Sequence, residues 1–582
     1  MILRGISTFA LGVMMTGLAQ AGISDEPVSL AGNYLASRTA SHVRDLDATT
    51  TFTSAALKLD QNNGVLLEQL FQAEVMLGDM PKAEPLAAQV IKLNSQQRMA
   101  RLVLGLKEFR ARRYSESRVH FDEAAYTPLG TLTSALLDAW AYAGEGSLNA
   151  ALKALDKLDG QDAFTNYKAL HSALIADYLG SDVRAEASYK KAYQLAPTSL
   201  RVVQAYGNFL ERAGRKDEAA KVYSDYLADG QRDVLVQQAL ANLQSGQKPA
   251  AFISTPQAGA SEVLFSIASA LTGDQNAESA LTYSQLALSV AGDKPVILTT
   301  LGGIQADLNF YEQSNASFDQ VPKDSPLRAY ADTQIAVNLH HMDKKDEAIA
   351  RLLDVTGKNP KDFDATVTLA AIYRASDQFD KSVEAYTKAI GLLGDSDKNN
   401  WRIYYDRGIA LDKLKQFDKS EEDFRKAMEI SKGDSSVLNY LGYSMIDRGE
   451  KLDEALAMVK KAVELKPNDG YIVDSLGWAY FKLRDYEQAV TYCERAVDLN
   501  PGDPIIAEHL GDVYWMAGRI LEARFQWQHA KDNHPDSDDL ARIESKLKDG
   551  LPEGGADKPA DTSTSGSPAQ PADDKAAKPI NG

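Results

Sequence analysis

Small and apolar residues recur with great regularity toward the C-terminal end of this chain, at steps of 34 or 35 residues. The landmarks are glycines (Gly408, Gly442, Gly477, Gly511), alanine pairs (Ala455/Ala462, Ala489/Ala496, Ala523/Ala530) and prolines (Pro467, Pro501, Pro535). Each glycine lies in an apolar stripe at helical spacing, and the alanines lie in a second amphipathic segment. The proline that follows ends this second segment, because proline lacks the N–H that a helix needs. The pattern therefore predicts helical hairpins that must stack on one another to bury their apolar faces.

A 34-residue period with Gly in a first helix, an alanine pair in a second and Pro after it resembles the tetratricopeptide repeat (TPR). The resemblance implies an all-α fold, a superhelical TPR-type α-solenoid that binds other proteins. Upstream the pattern weakens, although Ala185, Tyr189, Ala219 and Tyr223 still mark second helices. We therefore predict a divergent N-terminal TPR-like α-solenoid over residues 22–245 and a C-terminal TPR α-solenoid over residues 261–550.

Two segments interrupt the helical pattern. Residues 246–260 carry two prolines and little helical periodicity, which predicts a linker or ordered loop between the two halves of the solenoid. Residues 551–582 are rich in Pro, Gly, Ala, Ser and Asp and contain no aromatic residue, which predicts a disordered tail. Between repeats and tail, Asp538 to Lys548 is predicted to form a capping helix that covers the last apolar face.

The first 21 residues have the pattern of a cleavable signal peptide. Arg4 precedes an apolar run from Ile6 to Leu18, and Ala19-Gln-Ala21 is a small-x-small cleavage site. Such a compact signal is typical of bacterial export and predicts a periplasmic protein; an uncleaved N-terminal anchor is the alternative interpretation. No cysteine stands directly after the apolar run, so lipid attachment is not expected. No other stretch is apolar over about 18 residues, so we expect no stable membrane insertion.

Composition and motifs argue against an enzyme. The net charge of −18 disfavours nucleic acid as a partner, because that binding depends on Lys and Arg. Cys493 is the only cysteine of the sequence, which excludes an internal disulfide, and its position predicts a buried core thiol. His340 and His341 are adjacent and would point in different directions on a helix, which suits no common metal site. Phosphate-binding, zinc-protease and serine-hydrolase motifs are absent. We predict no catalytic residue, cofactor or metal.

In TPR proteins generally, residues beside the packing stripe of the first helices face the concave groove. In this sequence the protein-binding positions are predicted to be Tyr405, Tyr443, Tyr471, Asp474, Trp478, Phe481, Lys482, Glu508, Asp512 and Trp515. Aromatic residues are enriched at protein–protein hot spots, which favours an extended peptide or flexible protein segment as the ligand. For Phe481 and Trp515 the alternative is packing against an adjacent unit or the capping helix.

A narrower resemblance rests on three runs of sequence. They are Leu438-Asn-Tyr-Leu-Gly-Tyr-Ser-Met-Ile-Asp-Arg448, Asp474-Ser-Leu-Gly-Trp478 and Ile506-Ala-Glu-His-Leu-Gly-Asp-Val-Tyr-Trp515. Together they resemble the periplasmic TPR lipoproteins that act as adaptors for carboxyl-terminal processing proteases, over roughly residues 360–535. The resemblance implies an adaptor that binds such a protease and delivers substrates, including peptidoglycan hydrolases. This chain departs from the family in lacking the lipidated cysteine.

The leading hypothesis from sequence is therefore a non-enzymatic periplasmic scaffold or adaptor. A structural component of a cell-envelope assembly, such as polysaccharide export or wall synthesis, is the alternative from another class. An unrecognised hydrolase is a more remote one.

Overall fold

The computed structural model describes residues 29–228, 233–273, 276–291, 294–393 and 400–551. Within these ranges the regular structure is helical and contains no strand, so the predicted all-α class is confirmed. The predicted signal peptide (1–21) and the predicted tail from residue 552 onward lie outside the described residues. Contacts between Cα atoms divide the chain into two compact units, one ending at Leu327 and the other beginning at Arg328.

The first unit contains seventeen α-helices in its described residues. They are α1 (Leu30–His42), α2 (Leu46–Leu59), α3 (Gly64–Leu77), α4 (Met80–Leu93), α5 (Arg98–Arg110), α6 (Tyr114–Glu123), α7 (Pro128–Gly144), α8 (Leu148–Ala154), α9 (Thr165–Tyr178), α10 (Asp182–Leu195), α11 (Leu200–Arg212), α12 (Lys216–Ala228), α13 (Val234–Gln244), α14 (Pro256–Ala270), α15 (Ala277–Ala291), α16 (Pro295–Asp307) and α17 (Tyr311–Asp319). Short 3₁₀ turns at Leu155–Leu158 and Asp162–Phe164 lie between α8 and α9.

The hairpin α14–α15 packs across the helices that precede it rather than simply extending the stack. Helix α14 contacts α7 and α9, and α15 contacts α3 and α5. Tyr283 of α15 illustrates this packing, since its hydroxyl accepts from Arg98 Nη1 of α5 at 2.8 Å and lies 3.2 Å from the Thr133 hydroxyl of α7. First helices of this unit thus have a helical hairpin of the same chain packed against them.

The predicted linker at 246–260 is wrong for its last five residues. Residues 256–260 form the first turn of α14, which Pro256 begins and the Thr255 side chain caps by accepting from the N–H of Ala258. Gly259 lies directly against the ring of Trp140, so a Cβ there would overlap the indole. The remaining residues, 246–255, connect α13 to α14, and the division between the two units falls some 70 residues later. Proline is favourable at the first position of a helix, so Pro256 begins α14 and does not mark a linker.

The second unit contains thirteen helices in its described residues. They are α18 (Arg328–His341), α19 (Lys345–Lys358), α20 (Phe363–Ala375), α21 (Phe379–Leu392), α22 (Trp401–Lys413), α23 (Phe417–Ser431), α24 (Ser435–Asp447), α25 (Leu452–Leu465), α26 (Gly470–Lys482), α27 (Tyr486–Leu499), α28 (Pro504–Met516), α29 (Ile520–Asp532) and α30 (Ser537–Asp549).

The helices of the second unit pair as six antiparallel hairpins, α18–α19 to α28–α29, and each first helix from α20 onward also packs on the hairpin before it. The first helices α24, α26 and α28 begin after Asp434, Asp469 and Asp503, whose carboxylates accept from N–H groups of the first turn. Helix α30 packs on α29 and buries Ile543 completely, which confirms the predicted capping helix. Nowhere in the described ranges does a helix combine the length and apolarity needed for crossing a membrane.

The glycine in each of the first helices α22, α24, α26 and α28 lies where the partner helix approaches closely. A Cβ at Gly477 would overlap Sγ of Cys493, and one at Gly442 would lie 2.7 Å from Cγ2 of Val459. Cys493 is fully buried and free, as the sequence predicts. Glycine lowers the stability of a helix by about 1 kcal/mol relative to Ala. It is nevertheless favourable at these positions, because a larger residue would push the paired helices apart.

This contact can be tested by a double-mutant cycle. We expect Gly477→Ala to lower the free energy of unfolding by about 1–3 kcal/mol, because the added methyl overpacks the helix pair. Cys493→Ala removes the overlapping sulfur, so the double variant should lose less stability than the sum of the single changes. Urea denaturation followed by circular dichroism measures all three. Gly357→Ala is the control, since its Cβ would meet no atom within 4 Å in α19. Strictly additive losses would contradict the close-contact explanation.

Candidate protein-binding surface

Two rows of side chains run along the first helices at the C-terminal end of the second unit. The first row is Asn439, Asp474, Glu508 and Arg542; the second row is Tyr443, Trp478, Asp512 and Lys546. Each row takes one residue from α24, α26, α28 and α30 in turn, at the 34- or 35-residue step of the repeat. The capping helix α30 therefore keeps the repeat register and contributes two cations to rows that are otherwise acidic, polar and aromatic.

The predicted groove residues are less exposed than an open groove would require. Tyr443, Asp474, Trp478, Phe481, Glu508 and Asp512 are buried, whereas Tyr405, Tyr471, Lys482 and Trp515 are only partly exposed. The expectation of solvent-facing side chains is thus wrong for the six buried residues. They are covered because neighbouring first helices and α30 pack their own side chains over this face. Whether the ten residues bind a partner stays a prediction.

The α28 end of the rows is an acidic pair neutralised by the capping helix. Glu508, 1% exposed, accepts from Arg542 Nε at 2.7 Å and Nη2 at 2.6 Å, and from Lys546 Nζ at 2.6 Å. Burial raises the pKa of Glu508, but Lys546 and Arg542 outweigh burial and lower it to about 2. Asp512 accepts from Lys546 Nζ at 2.6 Å and from the indole N–H of Trp527 at 2.8 Å. This end of the surface is fully bonded within the chain.

An aromatic stack with a buried ion pair occupies the middle of the surface. The ring of Trp478 stacks on Phe481 at 4.7 Å and on His509 at 4.2 Å between centroids. His509 Nδ1 lies 2.7 Å from Asp474 Oδ2. Burial lowers the pKa of His509, but the neighbouring Asp474 carboxylate outweighs it, so the pKa is raised above its ordinary value. His509 was not identified from the sequence. The available signal was its position, because it is equivalent to Ser475 of the preceding unit, which is buried.

At the α24–α26 end of the rows, three buried polar atoms lack hydrogen-bond partners among the described residues. Asn439 Oδ1, Asp474 Oδ1 and Trp478 Nε1 are buried and have no hydrogen-bond partner among the described residues. The three residues are 7%, 5% and 6% exposed, respectively. The two ends of the same rows therefore differ in chemistry.

The remaining predicted residues lie at the margins of this surface. Tyr405 packs edge-on against Tyr440 at 6.0 Å. Tyr471 lines an open depression of about 460 Å³ whose other walls are Lys466, Pro467, Asn468, Asp469, Gly470 and Asn500. Lys482 Nζ lies 5.5 Å from the Trp478 ring centroid. Trp515 packs against Trp527 at 5.3 Å and against Gly550 at the end of α30, as the packing alternative predicted.

A search for metal sites over the described residues finds no group of three or more His, Cys, Asp or Glu side chains that could hold an ion.

Family models for the tetratricopeptide repeat match residues 183–243, 402–434 and 475–538. Among curated proteins, BBSome complex member BBS4 of Bos taurus is 31% identical over 108 residues, covering 19% of this chain and 20% of that protein. TPR repeat-containing protein PA4667 of Pseudomonas aeruginosa is 30% identical over 148 residues, covering 25% of this chain and 24% of that protein. The chain thus spans a quarter or less of the length of these relatives.

Two solved structures are similar at low sequence identity. A tetratricopeptide repeat protein from Parabacteroides merdae is 15% identical, with a TM-score of 0.38, and covers 44% of this chain and 97% of its own. The hetero-tetramer Cut9–Hcn1 of the APC/C is 14% identical, with a TM-score of 0.37, and covers 91% and 98%.

Truncating the central indole tests the burial of the aromatic stack. We expect Trp478→Ala to lower the free energy of unfolding by about 3–5 kcal/mol, because the change opens a large cavity between α26 and α28. Thermal and urea unfolding monitored by circular dichroism measure the loss. Phe525→Ala is the control, since Phe525 is 70% exposed on α29 and should change stability little. Equal stability of both variants would mean that Trp478 faces solvent.

The ion pair of His509 and Asp474 predicts a pH-dependent stability. The folded-state pKa of His509 is raised, so protonated His509 adds to the free energy of unfolding. This contribution is complete below about pH 6.5 and is lost as pH rises through the folded-state pKa. The free energy of unfolding should fall there by up to about 1.4 kcal/mol per pH unit relative to His509→Gln. Urea unfolding of both proteins from pH 5.5 to 9 gives the two slopes. Identical slopes would show that His509 binds its proton no more tightly in the folded state.

Proposed function

We propose that the chain, three segments of which match models of the tetratricopeptide repeat, is a non-enzymatic scaffold that holds a segment of a partner protein along the first helices of its second unit. The repeat register of α22 to α28 carries the proposal: equivalent positions 34 or 35 residues apart offer aromatic and polar side chains at successive steps. Several weak contacts at fixed spacing add up, so affinity does not require one deep pocket.

The second unit is the better candidate for this role for a structural reason. In the first unit, α3, α5, α7 and α9 are in contact with the hairpin α14–α15 of the same chain. Such contacts cover apolar surface that a partner segment would otherwise use. In the second unit, partly exposed residues such as Tyr471 and Lys482 remain accessible next to the aromatic stack.

A narrower proposal concerns location and partner. The protein is a periplasmic adaptor that presents substrates to a carboxyl-terminal processing protease. Its support is the sequence resemblance over roughly residues 360–535 and the signal-peptide pattern of residues 1–21. The names of the relatives described above mention neither a periplasmic location nor a protease, so the experiment below tests both.

The test is affinity capture from native bacterial periplasm with a tagged chain, followed by mass spectrometry. We expect to recover a carboxyl-terminal processing protease. A variant carrying Tyr471→Ala and Lys482→Glu should reduce its recovery about tenfold, since both side chains are partly exposed beside the proposed binding face. Phe525→Ser, an exposed residue on the second helix α29, is the matched control and should leave recovery unchanged.

Other outcomes separate the hypotheses. Recovery of a multi-subunit envelope assembly instead of a protease would favour the structural-component alternative. Protease recovery that both variants leave unchanged would place the contact outside the second unit's first helices.

A further inference from the structure

The two rows of the candidate surface give an internal comparison between a bonded and an unbonded end. At the α28–α30 end, the carboxylates of Glu508 and Asp512 meet a guanidinium and an ammonium. At the α24–α26 end, one and two repeats earlier, the same two rows carry Asn439, Asp474, Tyr443 and Trp478. Equivalent positions on neighbouring first helices face the same way, so the chemistry that satisfies one end indicates what would satisfy the other.

The bonded end shows that buried carboxylates of this face accept cations, with the Lys546 side chain 14% exposed and that of Arg542 33% exposed. Arg542 and Lys546 project from α30 at the row positions and together give Glu508 three charge-assisted hydrogen bonds. Such bonds are shorter and stronger than neutral ones. The cations come from the chain itself only because α30 happens to be the next helix in register.

The unbonded end offers two acceptors and one donor. Asp474 uses Oδ2 for His509, which leaves its Oδ1 as an acceptor, and the amide oxygen of Asn439, one repeat earlier in the same row, is a second acceptor. Trp478 Nε1 is a donor with no acceptor among the described residues. A buried polar atom without a partner is costly, and native proteins contain few of them. Three such atoms lie on two neighbouring first helices, α24 and α26, at equivalent or neighbouring row positions, where the polar groups of a ligand would satisfy them.

Aromatic rings border these atoms. Tyr443 and Trp478 stand one turn after Asn439 and Asp474 on the same helices, and Lys482 Nζ already lies 5.5 Å from the Trp478 ring centroid. The Asp474 carboxylate suits a cation, whereas the Trp478 ring is already stacked on Phe481 and His509. A carboxylate ligand would instead meet the charge of Asp474 and find one donor only.

We propose that the α24–α26 end of the rows binds a lysine or arginine side chain of the partner segment. Asp474 Oδ1 and Asn439 Oδ1 accept from the cation, and Trp478 Nε1 donates to a main-chain carbonyl of the segment. The inference rests on the proposed function, because it names the chemistry of the segment that the scaffold holds. Since the three atoms are buried, the side chains around them must rotate to admit the ligand.

The test uses the full-length chain and pools of nine-residue peptides, capped at both ends, with a fixed central residue and all other positions randomised. The central residue is Lys, Arg, Glu or norleucine, the last matching the length of Lys without its charge. Isothermal titration measures each pool. We expect the Lys and Arg pools to bind about tenfold tighter than the norleucine pool, and the Glu pool to bind more weakly still.

Three variants locate the preference. Asp474→Asn should bring the ratio of Lys to norleucine affinity close to one. Asn439→Asp adds a carboxylate to the same row and should raise that ratio, a gain that unfolding cannot produce. Asp453→Asn, an exposed residue of α25, makes the same charge change as Asp474→Asn away from the rows and should leave the ratio unchanged. Circular dichroism melting confirms that each variant is folded.

The outcomes distinguish this inference from the function on which it rests. If every pool binds equally, the scaffold holds peptides but selects no cation, and the inference is wrong. If Asp474→Asn and Asp453→Asn reduce the ratio equally, the preference comes from net charge and the inference is again wrong. If no pool binds, the proposed peptide-holding function fails with it.

Discussion

The last four hairpins of the second unit depend on how closely their two helices can approach. The constraint is visible where Gly477 faces Cys493 and where Gly442 faces Val459. The first helix has no side chain at these points, so the second helix can pack directly against its backbone. That contact fixes the hairpin, and the hairpin fixes which face of the first helix is left for the next unit. Because each hairpin still has one uncovered apolar face, the stack continues until something different ends it.

The two units deal differently with uncovered faces. In the second, α30 ends the stack by burying Ile543 and by bringing Arg542 and Lys546 to two buried carboxylates. In the first, the hairpin α14–α15 packs back on α3, α5, α7 and α9. The first solution is local in sequence and keeps the repeat register. The second joins residues as far apart as Arg98 and Tyr283, and it makes the first helices part of an internal core.

This difference explains what the sequence could and could not predict. The 34-residue period, the second-helix ends before Pro467 and Pro501, the capping helix and the buried thiol of Cys493 follow from contacts within a hairpin or between neighbours. The packing of α14 on α7 depends on the contact between Gly259 and Trp140, which are more than 100 residues apart in the sequence. A sequence repeat does not predict such a contact. The burial of Trp478 was missed for a related reason: its partner His509 lies in the next repeat, one position outside the row that the repeat pattern defines.

The buried rows also change what kind of binding surface this is. In an open groove, Asp474 and Trp478 would be hydrogen-bonded to water. A partner would have to break those hydrogen bonds, and the free energy lost would largely cancel the free energy gained from its own hydrogen bonds. Here Asp474 Oδ1, Asn439 Oδ1 and Trp478 Nε1 are already removed from solvent. Their desolvation is therefore part of the folding of the repeats, and a bond to the proposed ligand is offset mainly by the side-chain rotation that admits it. The proposed site would be selective, since a segment lacking the matching donor would leave the carboxylate as unsatisfied as before.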